Sequence, residues 1–489
     1  MPRAARASLL ALAALAIALA LLLLGNALTR REVRLQGDAA WTTWQRGDSP
    51  WQWPLRSPRD VVAGRLFGAG HLQAGHAALQ LHFIGGDAQL GLPLAHAAAL
   101  TAAPLLRLHW RDASQSLPLT LLLRPQLDAP ACTAAAGVLP AGSGVRTLDL
   151  TRLPWNCEGH AAAMPARAAM LRLQFDGASG TRITLLRVSL HPAPGTRVLA
   201  MQTLAAWQRH TRSADAIAVV GLPAWFSSRL LAERDALWRA DPAAVALPQG
   251  SAPQRSSPQS ERHVLDWLTI AVCALLMLAV LVLPQARWPR VARIAKAVAA
   301  LLPVLLIAFG IGDSQQPDAR SWALILLALG YAALLTLRRD PALRSWRWLD
   351  DARGWALQGA PALLAGTLWL LLGQRAPALA DLLRYLPWAL LQQFLLLVLV
   401  ARRLDAALPR AVAVLASATL FALGHTPNSA LMLLAFAAGL WWSAWFLRRG
   451  ALLPVVLAHA LAGTLLQAIA SNEGWLRSLA IGARYLGVH

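Results

Sequence analysis

Residues 411–470, AVAVLASATLFALGHTPNSALMLLAFAAGLWWSAWFLRRGALLPVVLAHALAGTLLQAIA, hold three apolar runs at 411–424, 430–447 and 451–470. Only short polar breaks separate them. Apolar runs spaced this closely read as helices crossing a bilayer, because the breaks leave no room for a soluble domain. Working outward toward the N-terminus, further runs lie near 264–284, 297–311, 321–337, 355–372 and 386–401. The C-terminal part, 263–489, thus reads as a multi-pass α-helical membrane bundle of about eight spans. The whole chain of 489 residues agrees, with 57% hydrophobic residues and a mean hydropathy of +0.46.

The N-terminal half has a different texture. Ala7–Leu24 is an uninterrupted apolar run preceded by Arg3 and Arg6, which fits a signal peptide or an uncleaved anchor. Gly25-Asn26-Ala27 is a weak cleavage site. The run exceeds the usual signal core of about 7–15 residues, so residues 1–28 are expected to be a signal anchor. From Thr29 to Arg262 no span qualifies. Short alternating stretches appear instead at Leu79–Ile84, Leu105–Trp110, Leu119–Arg124, Val145–Leu150, Met170–Phe175 and Arg182–Leu190. In Leu171–Phe175 the large apolar residues share one face, as a half-buried strand requires, and Asp176–Gly180 reads as a hairpin loop. Residues 29–195 are therefore expected to form an inserted, extracytoplasmic all-β sandwich, jelly-roll-like in character. Residues 196–262 read as amphipathic helices and a linker: Val198–Arg239 shifts to a helical period, with Leu204, Trp207, Leu230 and Leu237 as its apolar residues. Pro248–Glu261 is rich in Gln, Ser and Pro.

Charge sets the orientation. The formal net charge is +21, yet Lys296 is the only lysine and the arginines gather in short loops. No basic face with interleaved aromatics stands out, which argues against nucleic acid as a partner. Arg287, Arg290, Arg293 and Lys296 share one loop region. Arg338, Arg339, Arg344, Arg347 and Arg353 share another, followed by Arg402, Arg403 and Arg410, then Arg448 and Arg449. The intervening loops are poor in positive charge, as in Asp313–Arg320 and His425–Ser429. By the positive-inside rule the Arg-rich loops face the cytoplasm and the β domain lies outside, periplasmic if the membrane is a bacterial inner membrane. Cys132 and Cys157 then lie in an oxidising compartment, where a disulfide between them would close a loop of roughly 25 residues; the alternative is two unrelated thiols. Cys273, inside an apolar run, reads as a small core residue.

Polar side chains inside spans are costly, so they mark candidate function. Gln392 and Gln393 are adjacent, His425 closes the run Ala411–Gly424, and His459 sits mid-span. Each also has a structural reading: a glutamine pair can bridge helices, and His425 precedes Pro427, where the chain must break and Asn428 or Ser429 can cap the next helix. His459 has no local partner and needs one from another helix.

Taken in order, these residues resemble the CAAX prenyl endopeptidase and bacteriocin-processing family (CPBP, also called Abi), a family of intramembrane proteases. The similarity covers the region from 386 to about 470 and nothing of the N-terminal domain. Phe421-Ala-Leu-Gly-His425 matches the family's Phe-x-x-x-His motif, His459 matches the histidine of its His-x-x-x-Asn motif, and Gln392-Gln393 falls where a Glu-Glu-x-x-x-Arg motif is expected. The departures are as plain: glutamine for both glutamates, Leu397 at the arginine and Gly463 at the asparagine. The resemblance implies an endopeptidase site with His425, His459, Gln392 and Gln393 at its centre, Phe421 and Asn428 beside the substrate, and the histidines either holding a divalent metal such as zinc or stabilising an oxyanion. It implies membrane lipid and a membrane-anchored or exported polypeptide as partners. A neutral amide cannot replace a carboxylate base, whose help is typically worth 10²–10⁴-fold. Two readings follow: a protease with a histidine base, or an inactive relative that keeps the groove as a binding or assembly scaffold.

Overall fold

The computed structural model describes residues 3–75, 78–209, 216–255, 260–282, 287–309, 311, 319–337, 346–373, 376–470 and 475–487. Arg338, Arg339, Arg344, the loop at 312–318 with Asp313, and part of the linker, 256–259, lie outside these residues. The chain forms two compact units: Met1–Glu32, Trp225–Ala232 and Ser257–His489 in one, Val33–Ala224 and Glu233–Ser256 in the other. It is a membrane protein with an apolar N-terminal helix, a further set of apolar helices and a mostly β region between them.

Helix α1 spans Arg3–Gln45, a length of about 65 Å at 1.5 Å per residue. It runs well past residue 28, where the anchor was expected to end. No proline interrupts Thr29–Gln45, and the first left-handed residue is Gly47, φ +75°.

In the β unit, β1 (Phe67–Ala74), β2 (Leu79–Leu92), β3 (Leu105–Ala113), β4 (Leu117–Arg124), β5 (Cys132–Leu139), β6 (Gly142–Asp149), β7 (Trp155–Cys157), β8 (Met170–Gly177) and β9 (Arg182–His191) join one antiparallel sheet. Gln52–Trp53 and His160–Ala162 complete its eleven strands. All six stretches read as strands from alternation are strands here. The loop after β8, however, does not close a hairpin. β8 and β9 run one after the other along the same edge of the long β2: Leu171 faces Leu92 and Gly177 faces Gly86, then Arg182 faces His82 and Leu185 faces Leu79. The alternation is right but the partner is wrong, because pairing is set by β2, a strand of 14 residues that the sequence reading stopped at Ile84.

That strand creases in its middle. Gly85 and Gly86 have φ +110° and +103°, a region essentially reserved for glycine. Pairing with β1 breaks at the same place, Gly70 facing Phe83 and Gly68 facing Ala88. One side of the crease carries β8, β4, β5 and β7, the other β9, β3 and β6. Their inward residues, Leu119, Leu121, Leu171, Leu173 and Phe175 from the first and Leu106, Leu108, Ile183, Leu185 and Val188 from the second, share one buried core. A bend within a strand is how one sheet covers both sides of its own core. Cys132 and Cys157 pair across β5 and β7 with Cα atoms 4.2 Å apart, and are joined as a disulfide.

Residues 196–262 hold more strand than their helical period suggests. β10 (Arg197–Thr203), β11 (Ala216–Leu222) and β12 (Val245–Pro248) form a parallel sheet, with α2 (Leu204–Arg209) and α3 (Ser227–Ala240) in the crossovers. A parallel strand buried on both faces reads as a continuous apolar run, here Ala-Ile-Ala-Val-Val-Gly-Leu, which periodicity does not separate from a helix.

Among the described residues eight apolar helices follow: α4 (Ser260–Val282), α5 (Pro289–Ala308), α6 (Ala319–Leu337), α7 (Ala352–Leu372), α8 (Leu379–Asp405), α9 (Arg410–Leu423), α10 (Ser429–Arg449) and α11 (Leu453–Ile469), then the short α12 (Gly482–Leu486). α9 and α11 have 14 and 17 residues, the other six 18 or more. Within α8, Phe394–Ala401 is π-helical, with Arg402 N–H donating to Leu397 O. Its buried Leu395–Val400 run lies in the middle of the membrane core.

Candidate intramembrane site

The site is assembled from α8, α9, α10 and α11. His459 lies two turns into α11 and is 6% exposed. Its imidazole is held on both sides: Gln393 Nε2 lies 2.9 Å from Nδ1, and Tyr385 Oη lies 3.0 Å from Nε2. With the Gln393 amide donating to Nδ1, Nε2–H is left to donate to the tyrosine oxygen. Trp442 tilts over the ring at 4.8 Å, and Phe421 meets it edge-on at 5.8 Å. A mid-span histidine thus finds the partners that burial in hydrocarbon demands.

His425 belongs to the same cluster through Phe421, whose ring it meets at 4.8 Å. Its Nδ1–H donates to the Phe421 carbonyl at 2.8 Å, one helical turn back. That bond fixes the tautomer and leaves Nε2 as an acceptor. The family-like spacing of Phe421 and His425 therefore has a direct meaning: i and i+4 stack on one helix face.

Gln393 is fully buried and sits where α8 passes into its π-helical segment. Its Oε1 and that of Gln392 are buried without a hydrogen bond among the described residues. No hydrogen bond joins Gln392 to either histidine among those residues. Asn428 does not join the site. Its Oδ1 caps α10 by accepting from Leu431 N–H at 3.2 Å, and its Nδ2 donates to Ser478 O and Ala480 O at 2.7 and 3.2 Å. Every function of that side chain is spent on structure, so a substrate contact through it is not supported by the geometry.

Sequence reasoning missed Tyr385 and Trp442. The clue to Tyr385 is Gly463, one turn beyond His459 on the same face of α11. A Cβ at position 463 would stand 2.6 Å from Tyr385 Cε1. The glycine, in the place where the related motif has asparagine, is what lets the tyrosine ring lie against α11 and reach the histidine.

A catalytic zinc needs three protein ligands and an open position. Among the described residues no group of three or more His, Cys, Asp and Glu is placed to hold a metal, and both nitrogens of His459 are already engaged. The residues do not fit such a centre. The arrangement is instead a buried cluster of two imidazoles, the Gln393 amide and a phenol, packed with Phe421 and Trp442.

Residues 376–465 match the family described as Type II CAAX prenyl endopeptidase Rce1-like. The match takes in Gln392, Gln393, Phe421, His425 and His459. No curated protein matches the chain. Among solved structures, a low-affinity xylan-binding module, CBM86, from the gut symbiont Roseburia intestinalis is similar at 12% identity, over 28% of this chain and 94% of that one. Its TM-score of 0.20 carries neither fold nor ligand across.

Proposed function

Since residues 376–465 belong with the CAAX prenyl endopeptidase-like proteins, we propose that this region engages a membrane-anchored or exported polypeptide at the His425–His459 pocket without hydrolysing it. The observation that carries this reading is the chain Gln393–His459–Tyr385. The residue standing at a family glutamate is a neutral amide bonded directly to the histidine, so neither a base nor a bridging water has a place between them. The second reading is a histidine-based endopeptidase. Its support is His425, whose Nε2 is an acceptor by virtue of the bond at Nδ1, with an amide nearby that could donate to an oxyanion.

The proposal places the bundle in a bacterial inner membrane with the β unit outside. The positive-inside pattern of the loops supports this. So do contacts among the described residues of the membrane unit that join ends the pattern assigns to one side. Arg449 Nη1 meets Asp351 Oδ2 at 2.6 Å and Arg293 Nη1 donates to Ala406 O at 2.8 Å among the Arg-rich loops. Thr29 Oγ1 donates to Pro427 O at 3.4 Å among the others.

The test compares cells carrying the wild-type protein, His425→Ala, His459→Ala or an empty vector, with proteomics of shortened or shed membrane-protein fragments. The expected result is the same fragments in all four, with the protein present at equal levels in the first three. Fragments lost in both histidine variants would establish hydrolysis and reject the binding reading.

A further inference from the structure

A knot of polar contacts lies a few residues from His425, at the end of the bundle where α10 begins. Ser227 N–H donates to Asn26 Oδ1 at 2.7 Å, and Ser227 Oγ is 2.7 Å from Ser429 Oγ. Tyr485 Oη donates to Ser227 Oγ at 3.2 Å, and Gly482 N–H donates to Thr426 O at 2.9 Å. Asn26 follows directly on the apolar stretch of α1, and Ser429 is the first residue of α10. The helices touch there: a Cβ at Gly25 would be 2.9 Å from Ser429 Cα. Ser227 is therefore pinned at the level where two membrane-crossing surfaces end.

The two residues before it, Trp225 and Phe226, are 43% and 57% exposed and meet edge to face at 5.9 Å. Trp475 is 57% exposed and lies three residues before Ser478, whose carbonyl is tied to Asn428. Three large exposed aromatics thus ring the same end of the bundle. Leu19 and Leu23, on the two turns of α1 before Asn26, are exposed apolar residues, and Asn26 accepts from Ser227 N–H. A soluble loop has no reason to hold a Trp-Phe pair open to water, whereas at a bilayer interface tryptophan ranks among the favoured residues.

We propose that Trp225, Phe226 and Trp475 form a lipid-binding collar, seated in the headgroup layer of the leaflet next to His425. The occupant is phospholipid, because the collar continues the lipid-facing surface of the spans and sits level with their ends. The segment around Ser227 is then a membrane-surface element inserted between the strand β11 and the rest of α3, and it holds the mouth of the bundle in contact with lipid.

Full-length protein carrying p-benzoylphenylalanine at position 225, 226 or 475, reconstituted in phosphatidylethanolamine–phosphatidylglycerol vesicles, tests this. Position 370, 76% exposed in the span α7, is the lipid-facing reference, and position 127, 73% exposed in the β unit, is the aqueous one. After irradiation, phospholipid adducts at 225, 226 and 475 are expected to match those at 370 and to exceed those at 127 by about tenfold, as interfacial burial requires. Yields at 225 and 226 no higher than at 127, with strong adducts at 370, would overturn the collar. So would irradiation in whole cells that gives a protein adduct at 226 in place of lipid. This outcome is independent of whether the His425–His459 pocket binds or cleaves a polypeptide.

Discussion

At the scale of single residues, the pocket depends on a contact that no motif encodes. Tyr385 reaches His459 only because position 463 has no side chain. Gly463→Ala is expected to push the tyrosine aside at a cost of about 1–3 kcal/mol from overpacking. Thermal unfolding in detergent reads that cost, and faster C2-hydrogen exchange of the His459 imidazole reads the loss of its tyrosine partner. Gln393, His425 and His459 were legible as polar residues within or at the end of apolar runs, and Phe421 through the family resemblance. Tyr385 was not, since a tyrosine near the end of a span looks like an interfacial anchor. Asn428 was legible as the cap it forms, since it follows the Pro427 break; the substrate role came only from the resemblance. In the β unit, His96 offers a second residue-level test. It stacks on Trp238 at 4.3 Å and shares a 3.1 Å hydrogen bond with Pro242 O. Burial pulls its pKa from the usual 6.5 down to about 4, with Arg234 adding to the drop and the Pro242 carbonyl and Asp235 opposing it. The unfolded chain therefore binds the proton first as pH falls. Stability contributed by the neutral ring is full above pH 6.5 and is lost progressively as pH falls toward about 4, by roughly 3 kcal/mol in all. Urea unfolding of the full-length protein between pH 7 and 4.5 should show that loss, and His96→Gln, which cannot titrate, should reduce its slope.

At the scale of elements, alternation found the strands but not their partners. Strand pairing depends on where β2 bends, and the bend lies in two glycines that hydropathy treats as a gap. Gly86→Val is expected to destabilise the β unit by about 1–3 kcal/mol through backbone strain, since the nearest atom to a new Cβ is 3.8 Å away and space is not the obstacle. A lower urea midpoint for loss of β-unit tryptophan fluorescence, with the membrane helices still folded by circular dichroism, checks it. A drop no larger than that of an exposed Val138→Ala change in β5 would remove the crease as a determinant. The parallel strands Ala216–Leu222 and Val245–Pro248 were illegible for a different reason: burial on both faces erases the period that distinguishes strand from helix. The length of α1 was illegible because membrane entry and helix termination are separate events, and only the first has a hydropathy signal.

At the scale of the whole molecule, the apolar helices follow from sequence because water and lipid act on each segment independently. What the sequence does not carry is the joining of ends. Arg347 N–H donates to Gly450 O at 2.8 Å and Leu452 N–H to Arg347 O at 3.0 Å, contacts between residues a hundred positions apart. These bonds, with Asp351 held between α7 and Arg449, fix where α11 starts and so where His459 points. The proposed orientation predicts that protease added to intact spheroplasts digests the β unit and spares the loop with Arg402, Arg403 and Arg410. Protection of the β unit with digestion of that loop would invert the topology.

Tyr385 lying on Gly463 also bears on how the site could change over generations. Asparagine at 463 would collide with the tyrosine ring, so it is not accommodated while Tyr385 is present. Shrinking Tyr385 first would strip a buried histidine of a partner before anything replaced it. Arginine at Leu397 would have to enter a wholly buried helical segment, at a cost of about 2.5–3.5 kcal/mol for a charge at a span centre. Substitution at 463, 385 or 397 is thus expected to give a less stable protein.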